Sequence, residues 1–280
     1  MIIGIPAGAS GANLGGGAEA IKTLLSYCEE IGVRHAGIGA PIKDGHPDTA
    51  ALTELKQQLA DAGLSVFGGG IFFAREENFF EQSFRDEERE QLVELIDCYG
   101  KAGVEPVTIF CSLAPGKQPD EQETRWKLAI DFTRVLVKTA ENAGVRLAVH
   151  TLGNSVFNRY ATVERMLCDI PSDYLGVCYD PAIHLPLGDD IAANLRALKD
   201  KMPVMHLRTS GDVTPMNTFE LKDGKFQDVP VRKPQVDIPE VIKVLLEVNY
   251  NDIVQLEHQR GPIAYARAVG YLRGIIETLQ

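Results

Sequence analysis

Short apolar runs alternate along the chain with longer amphipathic ones. The apolar runs are Ile2–Pro6, Val33–Gly39, Leu64–Gly68, Pro106–Phe110, Arg146–His150, Tyr174–Asp180, Pro203–Arg208 and Asp252–Glu257. Each is rich in Val, Ile, Leu or Phe and lacks strict polar alternation, which is how a strand buried on both faces reads. Helical patterns lie between them: Ala18–Ile31, Thr49–Ala62, Asp86–Ala102, Glu121–Ala143, Ala161–Cys168, Asp190–Lys201, Ile238–Val248 and Pro262–Leu279. Asp48 stands where an N-cap is wanted. Gly63, Gly103 and Gly144 follow three of these helices, where the chain favours positive φ.

Strand–helix alternation repeated eight times predicts a parallel sheet, and eight units favour closure into a single (β/α)8 barrel over an open doubly wound sheet. No GxGxxG opens the first helix, and the run Gly15–Gly17 reads as a flexible loop. No composition shift marks a boundary, so residues 1–280 are expected to form one domain. The long irregular stretch 210–236, rich in Gly, Pro, Asp and Lys, follows the seventh strand and is expected to be a lid over the barrel mouth.

Composition narrows the function. The chain has 280 residues, 45% of them hydrophobic, enough for a sizeable core, and a net charge of −11 with no basic stripe. That argues against nucleic acid as the partner and for a small molecule. Five cysteines without paired spacing suggest packed thiols in a reducing compartment. The N-terminal MIIGIPAGAS does not read as a signal peptide, and no apolar run is long enough to span a bilayer. A cytoplasmic homo-oligomer is expected.

In barrels of this kind the working residues sit at the C-terminal ends of the strands. Predicted strand 5 ends in His150, strand 6 in Asp180, strand 7 carries His206 near its end, and strand 8 ends in Glu257. Two imidazoles and two carboxylates from four adjacent strands are metal-ligand types. Their mix of nitrogen and oxygen suits Mn, Co, Ni, Fe or Zn better than Ca or Mg, with Mn the first choice. Singly, each has a plainer reading: a hydrogen-bonded histidine, a turn aspartate before proline, a rim glutamate. Together, without an ion, they would form a buried polar network that is costly to satisfy. Arg208 is the candidate substrate anchor, its fork suited to a carboxylate. Tyr265, His258 and Arg260 follow strand 8 and could line the mouth. Trp126 and Phe72–Phe73 could stack a sugar ring, although packing is their plainer reading.

At these residues the sequence resembles the xylose isomerase-like TIM barrel superfamily of sugar isomerases, epimerases and dehydratases, and within it the mannonate dehydratases. The likeness runs from RDEEREQLVELIDCYGKAG at Arg85–Gly103 through VRLAVH at Val145–His150, HLR at His206–Arg208, VDIPEVIKVL at Val236–Leu245 and LEHQRG at Leu256–Gly261 to YLRGIIETL at Tyr271–Leu279. It implies a metal held by His150, His206 and Glu257. Where the dehydratases carry a strand-6 cysteine, this chain is read with Asp180, and Glu257 stands for their aspartate. Asp180 and Glu257 match what the epimerases and isomerases carry, and YDPAIH at Tyr179–His184 is close to their DxxH pattern with one extra residue. Epimerases use a second carboxylate on strand 5, where this chain has His150. A metal-bound imidazole has no lone pair to serve as that base. The resemblance therefore implies a metal-dependent lyase acting on a sugar acid or related carbohydrate, with Arg208 and Glu257 in the chemistry. A sugar isomerase or epimerase is the alternative. A barrel subunit that binds or cleaves oxidised glycosides with a partner chain is a further one.

Overall fold

In a computed structural model, the chain is described at all residues except 12–13, 15–16, 74–78, 154, 209–217, 223–224, 230–235 and 260. Eight parallel strands close into a barrel: β1 Ile2–Pro6, β2 His35–Ile38, β3 Ser65–Phe73, β4 Val107–Cys111, β5 Leu147–His150, β6 Leu175–Tyr179, β7 Val204–Leu207 and β8 Ile253–Leu256. Neighbours in space are neighbours in sequence, and β8 returns to β1. The outer ring is α1 Ala18–Ile31, α2 Thr49–Asp61, α3 Gln82–Ala102, α4 Pro119–Ala143, α5 Tyr160–Asp169, α6 Ile191–Leu198, α7 Ile238–Glu247 and α8 Pro262–Leu279. The fold is a TIM barrel, as the alternation predicts.

Local chemistry sets the helix ends. Asp48, Asp190 and Asp237 cap α2, α6 and α7, each accepting from a backbone N–H three residues on. Gly103 and Gly144 close α3 and α4 at φ of 63° and 69°. Helices α3 and α4 begin earlier than the apolar periodicity suggests, at Gln82 and Pro119. Proline at N1 or N2 lacks only an N–H that the first turn leaves idle.

Apolar faces of the helices meet the outward residues of the strands. Phe73, for example, stacks on Phe132 of α4 at a centroid distance of 5.4 Å. Inside the barrel the filling is uneven. A Cβ on Gly4 or Gly37 would lie 3.0 or 2.8 Å from the ring of Phe67. Glycines on β1 and β2 thus make room for one large ring from β3, which is 1% exposed.

Strand β3 departs from expectation. The glycine run 68–70 predicts a stop at Gly68, yet the strand continues to Phe73 through a register shift between Gly68 and Ile71. The continuation aims Phe72 and Phe110, paired across β3 and β4, into the mouth. Beyond the barrel, Thr218–Lys222 and Lys225–Val229 form an antiparallel hairpin where sequence pattern predicts an irregular stretch. Its first strand lies beside the helical turn Pro181–His184, at the C-terminal end of β6. Of the rest of the expected lid, 210–217, 223–224 and 230–235 fall outside the described residues.

Candidate metal centre

Alternation along the strands decides what reaches the interior. On β4 the inward positions are Thr108 and Phe110; on β5, Ala148 and His150; on β6, Cys178 followed by Asp180. On β7 they are Val204 and His206 followed by Arg208, and on β8 Gln255 followed by Glu257. Register aligns them: Phe110 pairs with His150, His150 with Cys178, and His206 with Gln255.

The ligand atoms of His150, Cys178 and His206 all lie within 4.8 Å of one another, and all three residues are buried. The two imidazole centroids are 4.7 Å apart. Among the described residues, no ring nitrogen of His150 or His206 makes a hydrogen bond of regular geometry. Buried polar atoms are nearly always bonded, so two adjacent imidazoles left in this way mark a place built for a further partner. Glu257 Oε2 lies 3.1 Å from His206 Nδ1 with its side chain 17% exposed. Gln255 steadies that carboxylate by donating to its other oxygen at 3.1 Å. Two nitrogens, a sulfur and a nearby carboxylate are a ligand set for a divalent transition ion.

Electrostatics favour the metal-ready forms of His150 and Glu257. Burial, then the charges of His206 and Arg208, hold His150 well below its ordinary pKa, so its imidazole is neutral. Burial pushes Glu257 upward, but His206, His258 and Arg208 outweigh it and its carboxyl sits below the usual range. Burial raises the Cys178 thiol well above its normal value, with Glu257 and Asp180 adding to the rise and Thr108 acting against it.

Asp180 occupies a different place from the trio. One oxygen accepts the Ala182 N–H at 2.9 Å, capping the helical turn that follows β6. The other accepts from Arg208 Nε at 2.8 Å and lies 3.9 Å from His150 Nε2. Arg208, 8% exposed, is thereby held at the mouth beside the histidines. Tyr265 is buried on α8, its hydroxyl pushed to about 12 by burial, near Glu257. Arg260 lies outside the described residues.

Cys178 and Phe110 join the site although sequence pattern alone passes over them, while Phe72 and His258 are candidates it does name. Cys178 reads as one packed thiol among five; the signal that separates it is its position two residues before Asp180, on the same face. Phe110 stacks on His150 at 4.6 Å, and Phe72 stacks on Phe110 at 4.6 Å, making an aromatic wall. A Cβ on Gly70 would lie 2.2 Å from the Phe110 ring, so glycine there is what admits it. His258 stands at φ 54°, unusual for a residue with a side chain. Its Nε2 is 3.5 Å from Glu257 Oε2 and its side chain is 64% exposed. Trp126, by contrast, packs against Phe157 and donates to Asp169 at 2.9 Å, away from the mouth.

A closed eightfold barrel with imidazoles, a thiol and a carboxylate gathered at the strand ends defines the class: a barrel whose mouth carries a candidate metal-ligand set. The sequence belongs to the xylose isomerase-like TIM barrel family, whose profile matches residues 25–275. Among solved structures it is similar to an L-ribulose 3-epimerase, with TM-score 0.75, 18% identity and coverage of 100% of this chain and 96% of that one. It is similar also to mannonate dehydratase from Streptococcus suis serotype 2, with TM-score 0.69, 17% identity and coverage of 91% and 90%. A third is the IolI protein with a bound zinc atom, with TM-score 0.69, 17% identity and coverage of 100% and 98%. No curated protein matches the sequence. Among the described residues, no helix is long and apolar enough to cross a membrane.

Proposed function

We propose that the protein is a divalent-metal-dependent enzyme that eliminates water from a sugar acid. The convergence of His150, Cys178 and His206 carries this reading. His150, Cys178, His206 and Glu257 would hold the ion, while Asp180, with both oxygens engaged, holds Arg208. A thiolate among the ligands moves the preference from Mn toward softer ions such as Zn, Co or Fe. A divalent ion bound there supplies Lewis acidity toward a substrate oxygen.

The chain's own groups fit the remaining steps. Arg208 anchors the substrate carboxylate through its planar fork. The Phe72–Phe110 wall, on β3 and β4, faces β7 and Arg208 across the mouth and takes the C–H face of the carbohydrate. His258 moves the proton. Partial desolvation and then Arg208 lower its pKa against the opposing pull of Glu257 and Asp180, which favours the free base beside Glu257 in a side chain open to the mouth. It accepts the proton from the carbon beside the carboxylate. The C–O bond on the next carbon breaks, and the departing hydroxide takes that proton to leave as water.

Epimerisation is the second reading, favoured by structural neighbours named as epimerases. There the proton is returned to the carbon and no water is lost. Proton NMR in D2O with a panel of aldonates and ketoses separates the two: a deoxy-keto acid marks elimination, whereas solvent deuterium incorporated into an otherwise intact sugar marks epimerisation.

Cobalt(II) titration tests the ligand set. A sulfur-to-cobalt charge-transfer band is expected in the wild type, absent in Cys178→Ser and retained in Asp180→Asn. Loss of cobalt in Asp180→Asn with an unchanged Cys178→Ser spectrum would overturn the assignment and restore Asp180 as the ligand. His258→Asn should bind cobalt normally and lose turnover by roughly a hundredfold, the usual range for a proton-transfer group.

A further inference from the structure

Thr108 is a buried polar residue to which the proposed chemistry gives no part. It occupies the inward position of β4 below Phe110, is 1% exposed, and its hydroxyl makes no hydrogen bond of regular geometry among the described residues. A buried hydroxyl left idle is unfavourable, and threonine is a poor choice where valine would fill the same volume. Its register partner is Ala148. Ala148, Cys178 and Val204 form a small cluster of their own inside the barrel.

Alternate strands of such a barrel contribute to the same interior layer. Strands β4 and β6 therefore aim Thr108 and Cys178 at one level, with Thr108 opposite Ala148 on β5 and His150, two residues on, opposite Cys178. A neutral thiol is a weak acceptor, so little is gained while Cys178 keeps its proton. Once the sulfur is anionic, the same O–H makes a charge-assisted bond. A metal-bound Cys178 sulfur would thus supply the partner that the hydroxyl lacks among the described residues.

We propose that Thr108 is a positioning residue for the metal centre, its hydroxyl donating to the Cys178 thiolate. This rests on Cys178 being a ligand, as the proposed function has it. The bond draws electron density from the sulfur and fixes its lone pairs toward the histidines. Partners of this kind commonly change metal affinity by a factor of ten or more.

The test is cobalt(II) titration of the full chain at pH 7, read by absorption. Four variants are compared: Thr108→Val, Thr108→Ser, Thr108→Ala and Cys178→Ser, each checked by far-ultraviolet circular dichroism. Thr108→Val is expected to bind cobalt about tenfold or more weakly. Its charge-transfer band should move to longer wavelength, because the sulfur is more electron-rich. Thr108→Ser should restore both. Should the valine variant fail to fold, Thr108→Ala removes the hydroxyl without adding volume and should show the same shift. A valine or alanine variant whose affinity and band position overlay the wild type overturns the role. So does a weaker affinity with an unmoved band, which is the mark of packing alone. Cys178→Ser tells the two failures apart. If it keeps the wild-type band, the ligand assignment has failed and this inference with it. If it loses the band while Thr108→Val is unchanged, only Thr108 is wrongly placed.

Discussion

Burial separates the five cysteines by what each can do. Cys28, Cys98, Cys111 and Cys178 are buried and Cys168 is exposed. Burial pushes the Cys28 thiol to about 11 and Cys111 to about 12, so neither forms the reactive thiolate at neutral pH. Ellman's reagent at pH 8 should therefore label one thiol per folded chain quickly, and none in Cys168→Ser; fast labelling of two or more would contradict the packing. Asp189 makes the matching case for a carboxylate. It accepts from His184 Nδ1 at 2.7 Å and from the Tyr160 N–H at 3.1 Å. Although burial pushes its pKa up, these bonds prevail and hold it below its ordinary 3.8. A depressed carboxylate contributes stability that is complete above its unfolded value and disappears as pH falls through the folded one. Urea unfolding should show wild type more stable than Asp189→Asn near pH 6, with the gap closing below about pH 4. A gap that stays constant down to pH 3 would rule this out.

At the scale of the element, β3 shows how glycine serves a site from a strand. The run 68–70 weakens β propensity and reads as a break. In the barrel it shifts the register and leaves space where a side chain would collide with Phe110. That ring is sandwiched between Phe72 and His150 and cannot swing aside freely. Gly70→Ala should cost about 1–3 kcal/mol, the range for overpacking, measured by chemical denaturation. It should also disturb the cobalt spectrum by pressing Phe110 on His150. The helices are more legible than the strands. Asp48 is readable as a cap from its place before an apolar period, and the structure bears it out. Strand ends are less so, because Asp180, Arg208 and Glu257 each fall just beyond the regular ladder and only closure shows which way they point.

For the whole molecule, closure converts eight similar strands into unequal roles. On β1 and β2 the inward glycines give way to Phe67, which fills that side of the interior. Strands β5 to β8 keep small or polar residues there and build the mouth. Phe67→Ala should leave a cavity facing two glycines that have no side chain to collapse into it. A loss of about 3–5 kcal/mol is expected on denaturation, with cobalt binding at the far side retained. A loss below about 1 kcal/mol would mean that the interior rearranges to fill the gap.

The periodicity of the chain by itself determined the eight units, their order and the strand ends from which chemistry is presented. Two-sided burial and helix amphipathicity are local properties, written in the run of residues. It also placed His150, His206 and Glu257 at those ends. What the tertiary structure decided was facing and company. A one-residue change in phase turns a strand's side chains from interior to helix layer, and sequence spacing does not set that phase. Only closure, with Phe110 opposite His150 and His150 opposite Cys178, brings the cysteine beside the two histidines and leaves Asp180 holding Arg208.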